Sequence, residues 1–370
     1  MKALFINTVC GMGSTGRICL EQAEELIAKG YEVRIAYGRE ARVPEEYNSL
    51  LVKIGNDFDV KMHGVITRAF DRHGFASKKA TKKFLKWANK YNPDLLILHN
   101  IHGYYINVEQ LFDWIKKRPN MKIRWTLHDC WAFTGHCSYF TMAQCNRWKT
   151  QCFQCPQKKK YPSSLLLDNS RKNYFQKKKL FTNVNNLTLV TPSKWLSDLV
   201  HESFLKEYDI EINYNNINKE IFKPTNNDFR KIYKIEDKKI ILGVAGQWDE
   251  RKGLDDFIKL ANIIETDTVI VLVGLNDEQL CRLPQNCIGM KKTQNAVELA
   301  ALYTTADIFF NPTYEDNYPT VNLESEACGT PVITYNVGGA KETLKDSMSC
   351  AIDVGNYMYV ADFVRKMKDE

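Results

Sequence analysis

Long apolar runs are missing from this chain of 370 residues: none reaches the roughly 18 that a bilayer-spanning helix needs. That excludes a helical membrane span. The start, MKALFINTVCGMG, lacks the layout of a signal peptide and reads as a strand meeting a Gly-rich turn, so a cytoplasmic location is expected. Internal repeats and low-complexity tracts are absent too, as in a protein that is neither fibrous nor disordered. Charge of one sign is scarce. Lys and Arg number 51 against 44 Asp and Glu, a formal excess of +7, and no nucleic-acid partner is expected. The basic residues are nevertheless clustered, at Lys78-Lys79, Lys82-Lys83, Lys158-Lys159-Lys160 and Lys177-Lys178-Lys179, all in the first half. Solvated helix faces explain such runs; contact with an anionic membrane surface or polyanion is the alternative.

What is present is the material of a globular protein: 44% apolar and 26% charged residues, enough for two cores. Strand-like and helix-like stretches alternate from the first residue. Lys2 to Val9, a helical spacing over Gly16 to Lys29, and Glu32 to Tyr37 form a βαβ unit, and the runs at 94–98, 122–127 and 188–191 continue a parallel series. The pattern restarts with apolar strands at 239–245, 269–273, 308–311 and 331–334. The spacing therefore predicts an α/β protein with two successive parallel sheets: a first domain over 1–212 containing a Cys-rich insert at 130–156, a linker over 213–227, and a second domain over 228–370.

Ligands of open α/β sheets bind beyond the carboxyl ends of the strands, so the chemistry should follow strands. After the first comes Gly11-Met12-Gly13-Ser14-Thr15-Gly16, whose glycines allow a phosphate to approach helix amides. A plain tight turn, a dinucleotide site with the late Glu40, and a loop closing over a ligand between the domains are its three readings. His99-Asn100-Ile101-His102-Gly103 and Thr126-Leu127-His128-Asp129 follow later strands. A histidine there can bond a hydroxyl or carry a proton near neutral pH. For His99 and His128 a core imidazole satisfied by backbone is the competing reading.

In the second half, Gly246 to Gly253 follows a strand and opens a helix, carrying Arg251 and Lys252. Two cations at a helix start oppose a dipole that favours anions by about 0.3–1 kcal/mol. A bound polyphosphate would reverse that sign, which favours Lys252 as a phosphate ligand over an ordinary surface lysine. Asn311 to Pro331 then runs from a strand through a carboxylate-rich loop and a short helix, with Asp316 in the loop and Glu324 on the helix. Charged carboxylates accept sugar hydroxyls, and the amides about Pro319-Thr320-Val321 can meet a phosphate, although Pro319 has no N–H.

On these segments, together with Arg72-His73-Gly74-Phe75-Ala76-Ser77, Trp131 and Thr191-Pro192-Ser193, the chain resembles a family 4 glycosyltransferase of the GT-B fold. It is similar to bacterial enzymes of capsular and exopolysaccharide assembly over nearly its whole length. The resemblance implies two Rossmann-like, doubly wound domains facing across a cleft, a nucleotide-sugar donor, retention of anomeric configuration and no cofactor for catalysis. By that resemblance Lys252, with Arg251, holds the donor diphosphate. Glu324 takes the ribose hydroxyls, Asp316 the transferred sugar, and His128 lies beside the reacting centre. Gly13, Gly16, Thr293, Thr320 and Val321 join the donor set, and His99, His102, Asp129 and Trp131 are placed on the acceptor, a saccharide or lipid-linked saccharide. Peripheral contact with the inner face of the plasma membrane is expected on the same ground.

The chain departs from the family pattern at Gln247, where an Arg is usual, and at Asp316, where the first acid is usually Glu. The sequence ends at Glu370, where relatives often continue into a helix crossing back to the first domain, so a looser link between domains is expected.

Eleven cysteines remain to be explained. A long chain with its own cores has no need of a disulfide framework. Cys152-Phe153-Gln154-Cys155 has the short arm of a zinc knuckle, and Cys137 with Cys145 could complete a tetrahedral structural site. Packed free thiols and a disulfide are the alternatives. The aromatic residues of this insert suit sugar rings or a lipid carrier, and core packing explains them almost as well. Three other functions compete: a metal-dependent transferase using Asp57-Phe58-Asp59, an NAD-dependent sugar-nucleotide epimerase, and a sugar-binding module without turnover.

Overall fold

The computed structural model describes residues 1–367. Two compact units divide the chain, Met1–Tyr214 and Asn215–Glu370. The first is built on a seven-stranded sheet: β1 (Lys2–Asn7), β2 (Glu32–Tyr37), β3 (Leu51–Lys53), β4 (Leu95–Leu98), β5 (Lys122–Thr126), β6 (Leu187–Thr191) and β7 (Asp209–Ile212). Their order is β3-β2-β1-β4-β5-β6-β7, all parallel. The second has six: β8 (Lys239–Val244), β9 (Thr268–Val273), β10 (Cys287–Met290), β11 (Ile308–Asn311), β12 (Val332–Tyr335) and β13 (Cys350–Ile352), ordered β10-β9-β8-β11-β12-β13 and again parallel. Both units are Rossmann-like, as the alternating pattern predicts.

Parallel sheets are covered by helices on both faces, which is why their inner strands are continuous apolar runs. In β1 every residue from Ala3 to Asn7 is buried, and all six of β9 are. Side chains alternate across the sheet, so each unit has two cores. Leu4 and Ile6 join one face of the first sheet, while Ala3 and Phe5 pack with Val33, Ile35 and Ile97 on the other. In the second unit Ile270 and Leu272 serve one face, and Val269, Val271 and Val273 the other. Each fully buried Leu, Ile or Phe contributes about 2 kcal/mol.

The helices explain part of the lysine clustering. In the helix Lys78–Tyr91 the buried positions are Ala80, Thr81, Phe84, Leu85, Ala88 and Tyr91, at helical spacing, and Lys78, Lys79, Lys82 and Lys83 are exposed. The run at 177–179 is different. Lys177 is fully buried and donates to the carbonyls of Trp131 (2.7 Å) and Thr134 (3.1 Å). Burial drives its ammonium down to about 7. It is a strut under the 131–134 stretch, which corrects its reading as a solvated or membrane-facing lysine. Among the described residues, no helix is long and apolar enough to cross a membrane.

Candidate functional site

In each unit the strand order reverses between the first and fourth strands, opening a crevice at their carboxyl ends. In the first unit that point lies between β1 and β4. The loop after β1 is tied by Gly11 N–H to the Gly16 carbonyl at 2.9 Å. Gly11 has φ +67°, and a Cβ there would stand 2.1 Å from the Arg42 carbonyl oxygen, so only glycine fits. The helix Gly13–Ala28 begins directly after, with no side-chain cap at Met12 and no acid in its first turn. Gly13 and Gly16 thus lie at an uncapped helix start. Opposite, the Thr8 hydroxyl donates to the carbonyls of Asn100 (3.0 Å) and His102 (2.6 Å), which joins the loop after β4 to the end of β1.

The four residues expected to meet the acceptor, together with His128, converge here. His99 Nδ1 lies 3.0 Å from His128 Nε2, the two rings stacked. His102 Nε2 lies 3.1 Å from Asp129 Oδ2, and Asp129 Oδ1 accepts the Trp131 N–H at 2.9 Å. The Trp131 ring packs on His102 at 5.0 Å. Four residues not singled out individually complete the cluster. His73 Nε2 accepts the Gly103 N–H at 3.0 Å, and its ring lies 4.8 Å from Tyr104 and 5.6 Å from Tyr161. His63 Nε2 accepts the Gly74 N–H at 3.1 Å. The Tyr161 hydroxyl stands 3.5 Å from His102 Nδ1. The segment Arg72 to Ser77 carried the only sequence signal for any of these.

Burial dominates their charge states. It holds His128 down at about 4 and His63 at about 3, and with His128 beside it holds His99 well below the ordinary imidazole value. These imidazoles are neutral near pH 7. Burial pushes Asp129 up, but His102, the Trp131 N–H and His128 overcome it and keep the carboxyl below its ordinary value. The result is an ionised aspartate set among neutral rings. Among the described residues His99 Nε2 and His73 Nδ1 are buried without a hydrogen-bond partner, so the core-imidazole reading leaves donors or acceptors unexplained.

In the second unit the reversal lies between β8 and β11, and the paired charges sit beyond those two strands. Arg251 and Lys252 occupy a single 3-10 turn, Glu250–Lys252, capped by Asp249 Oδ1 on the Lys252 N–H at 3.1 Å. The helix proper, Leu254–Ala261, starts only after Gly253. Gly253 has φ +73°, and a Cβ would press within 2.3 Å of the Pro312 carbonyl, so this turn and the loop after β11 touch through backbone. Lys252 Nζ reaches Asp316 Oδ2 at 2.6 Å, and Arg251 donates to the Glu315 carbonyl at 2.8 Å. Burial pushes the Asp316 carboxyl up, yet Lys252 and Arg251 hold it below the usual range. The lysine that looked misplaced at a helix start therefore has a carboxylate for a partner.

The other second-unit residues expected to bind the donor lie on the helix that follows this loop and after β10. The helix Thr320–Ala327 begins after Pro319 without a side-chain cap, leaving Thr320 and Val321 at its open start. Glu324 is buried on that helix, and its Oε2 accepts the Tyr303 hydroxyl at 3.2 Å. Asn322 bridges Asn311 (2.8 Å) and Thr343 (2.8 Å), fixing the helix to β11. Thr293 follows β10, half-buried and outside these contacts. Buried Asp256 accepts the hydroxyls of Tyr314 (2.7 Å) and Tyr335 (2.8 Å), anchoring the loop from beneath.

The cysteines correct one expectation. All eleven are free thiols, and among the described residues no group of three or more His, Cys, Asp or Glu side chains could hold a metal ion. The zinc site expected from Cys137, Cys145, Cys152 and Cys155 is not formed. Three of the sulfurs are engaged locally instead: Cys152 Sγ accepts the Gly135 N–H at 3.1 Å, and the Cys137 and Cys155 thiols share a hydrogen bond. That bond, more than the opposing burial, brings Cys155 down to about 7 while Cys137 rises.

Residues 225–369 match the family described as glycosyl transferases group 1. The match is confined to the second unit and spans less than half of the chain. A relative printed as "Putative colanic acid biosynthesis glycosyl transferase WcaC", from Escherichia coli K12, is 23% identical over 209 residues, 54% of this chain and 50% of that protein. The chain thus spans half or less of the first curated relatives it matches. Among solved structures, sucrose-phosphate synthase from Thermosynechococcus elongatus superposes with a TM-score of 0.69 at 16% identity, covering 99% of this chain and 89% of the other. Anabaena HepE, solved with UDP and glucose, gives 0.63 at 13%, covering 98% and 89%. At such identities these likenesses establish the fold. The epimerase and metal-dependent readings find no support among these relatives.

Proposed function

We propose that this protein is a retaining glycosyltransferase that moves a sugar from a nucleotide-sugar donor to a saccharide or lipid-linked saccharide acceptor in surface polysaccharide biosynthesis. The observation that carries the reading is the Lys252–Asp316 pair at the strand reversal of the group 1 domain. A diphosphate arriving beside Lys252 gains a cation already oriented, and Arg251 adds charge from the same turn. Asp316, released from the ammonium, accepts hydroxyls of the transferred sugar. Glu324, held by Tyr303, is assigned to the ribose, and the open amides at Thr320 and Val321 to phosphate oxygens.

On the acceptor side, neutral His128 and ionised Asp129 supply hydrogen-bond partners for a hydroxyl, with His99 and His102 fixing their orientation. His128 positions and polarises; with its conjugate acid at about 4 it is a weak base near pH 7. The departing diphosphate takes the acceptor proton, and Lys252 stabilises the negative charge that grows on it. A lipid-borne acceptor would place the work at the inner face of the plasma membrane. Lys252→Ala, assayed by product mass against a panel of nucleotide sugars, should lower transfer about 10²–10³-fold. Transfer near the wild-type rate would remove the proposal.

A further inference from the structure

A neutral imidazole carries its proton on one ring nitrogen and leaves the other bare, and which is which follows from what the two nitrogens meet. In His63 the assignment is complete: Nε2 accepts the Gly74 N–H at 3.1 Å, so the proton sits on Nδ1, 2.8 Å from the Ser77 hydroxyl oxygen. His99 and His128 meet each other instead. His99 Nδ1 lies 3.0 Å from His128 Nε2, with the ring planes 20° apart. Burial keeps both rings neutral near pH 7, so one proton lies between these nitrogens, and either ring could supply it.

The far side of His99 decides between them. If His128 donated from Nε2, His99 would carry its own proton on Nε2, which is buried without a hydrogen-bond partner. An orphaned buried N–H is rarer in proteins than an under-used acceptor, because the donor loses water and gains nothing. Neither neighbouring ring offers that proton a face: Phe5 and His128 lie nearly parallel to His99, at 9° and 20°, whereas an N–H points along its own ring plane. His73 is the contrast. Its Nε2 accepts the Gly103 N–H, and its remaining proton on Nδ1 lies among the rings of Trp131 and Tyr161, both at 78° to it, and π faces accept N–H groups. His99 is also held in place, only 1% exposed, with its ring against Phe5 and its carbonyl accepting the Trp125 indole N–H at 3.2 Å.

We propose that His99 is a positioning residue: it donates from Nδ1 to His128 Nε2 and thereby fixes His128 as the tautomer with its proton on Nδ1, the nitrogen left to meet substrate. His128 is half-buried where His99 is sealed, so His99 acts on a ligand through His128. The consequence for the reaction rests on the transferase reading above. His128 enters it as a hydrogen-bond donor. An acceptor hydroxyl takes the Nδ1–H on its oxygen and keeps its own proton for the departing diphosphate. As that O–H bond breaks, the proton passes to a phosphate oxygen, and His128 carries the same proton before and after. The other tautomer would present a lone pair and draw the hydroxyl proton away from the phosphate.

The test is long-range proton–nitrogen correlation NMR of the whole chain, labelled with nitrogen-15 histidine, near pH 7 and without substrates. The His128 signals are identified by their loss in His128→Gln. Histidine free in water favours the proton on Nε2, so a His128 protonated on Nδ1 is a signature that packing alone would not produce. His99→Phe keeps a ring against Phe5 and removes the donor. It should return the His128 proton to Nε2 and lower kcat about 10²-fold, with the KM for the nucleotide sugar unchanged. His99→Asn places an amide N–H where Nδ1 stood, and should keep the His128 proton on Nδ1 and restore most of the lost transfer. A proton on His128 Nε2 in the parent overturns the proposal, and the parent spectrum decides even if a variant fails to fold. Equal loss of transfer in the two variants overturns it as well, since His99 would then be a packing residue. If the parent shows the Nδ1 proton but transfers no sugar from any nucleotide donor, the positioning stands and the transferase reading falls. Transfer by a parent with the proton on Nε2 does the reverse.

Discussion

The two units share an architecture and divide the chemistry. Both place their polar residues where a parallel sheet reverses its order, after the first and fourth strands, because only there do neighbouring loops part and leave a crevice. The first unit fills that crevice with rings: all seven histidines of the chain lie in Met1–Tyr214, and none in the second unit. The second fills it with a paired cation and carboxylate. The difference teaches that this fold fixes the location of a site while the loops fix its charge, neutral and aromatic in one case, ionic in the other.

The largest expected effect separates the two crevices by function. Lys252→Ala should abolish the thermal protection given by a nucleotide sugar, together with transfer, whereas His102→Ala should retain the protection and lose transfer by about 10²-fold. Equal loss of protection in both variants would break the division of labour. Next comes the support beneath the second crevice. Asp256→Ala leaves one buried and one half-buried tyrosine hydroxyl without their acceptor and should cost about 2–4 kcal/mol, lowering the melting temperature of the second unit alone.

Acid should distinguish the units by a smaller margin. His63 and His128 have their protonation depressed to about 3 and about 4 by burial, whereas an unfolded chain takes those protons near 6.5. The folded state thus binds fewer protons below that value. Stability is complete above about pH 6.5 and is lost as pH falls toward 4 and then 3, by about 1.4 kcal/mol per pH unit for His63. The second unit has no histidine and should be flat until its carboxylates titrate. Six of the seven tryptophans lie in the first unit, so a fall in the midpoint of tryptophan-monitored unfolding between pH 7 and 5 checks this. A midpoint unchanged over that range refutes it. The smallest effect concerns an exposed pair. Arg124 grips Glu211 with two bonds, at 2.9 and 2.6 Å, across the edge of the first sheet. Arg124→Ala should cost only about 0.5 kcal/mol by denaturant unfolding, because water screens both partners.

The inner strands of both sheets were legible as continuous apolar runs because helices bury them on both faces. The four edge strands β3, β7, β10 and β13 were not, since each is short and partly exposed and carries no such run; β7, Asp209–Ile212, has hardly a buried residue. The same divide runs through the sites. His99, His102, His128, Lys252 and Asp316 could be read from the sequence because they stand directly after inner strands. His63 and Tyr161 could not, for they reach the cluster from a helix and a loop far away in the chain; His73 showed only within the segment Arg72 to Ser77, and Tyr104, two residues after His102, carried no signal of its own. Cysteine spacing in turn suggested a zinc site that the fold does not assemble, since spacing constrains which thiols can approach one another and says nothing of how they are oriented.

Residue order alone therefore determined the alternation of strands and helices, the two sheets and the strand ends where chemistry gathers, because burial on both faces and turn-forming glycines leave a local imprint. Tertiary structure decided which distant side chains meet. It joined Lys252 to Asp316, turned Lys177 inward, and left Phe58, Met62 and Val65 of the helix Asp57–Phe70 facing water. Such contacts depend on the direction in which each element presents its side chains, a property set by packing against the rest of the fold and invisible in any single segment.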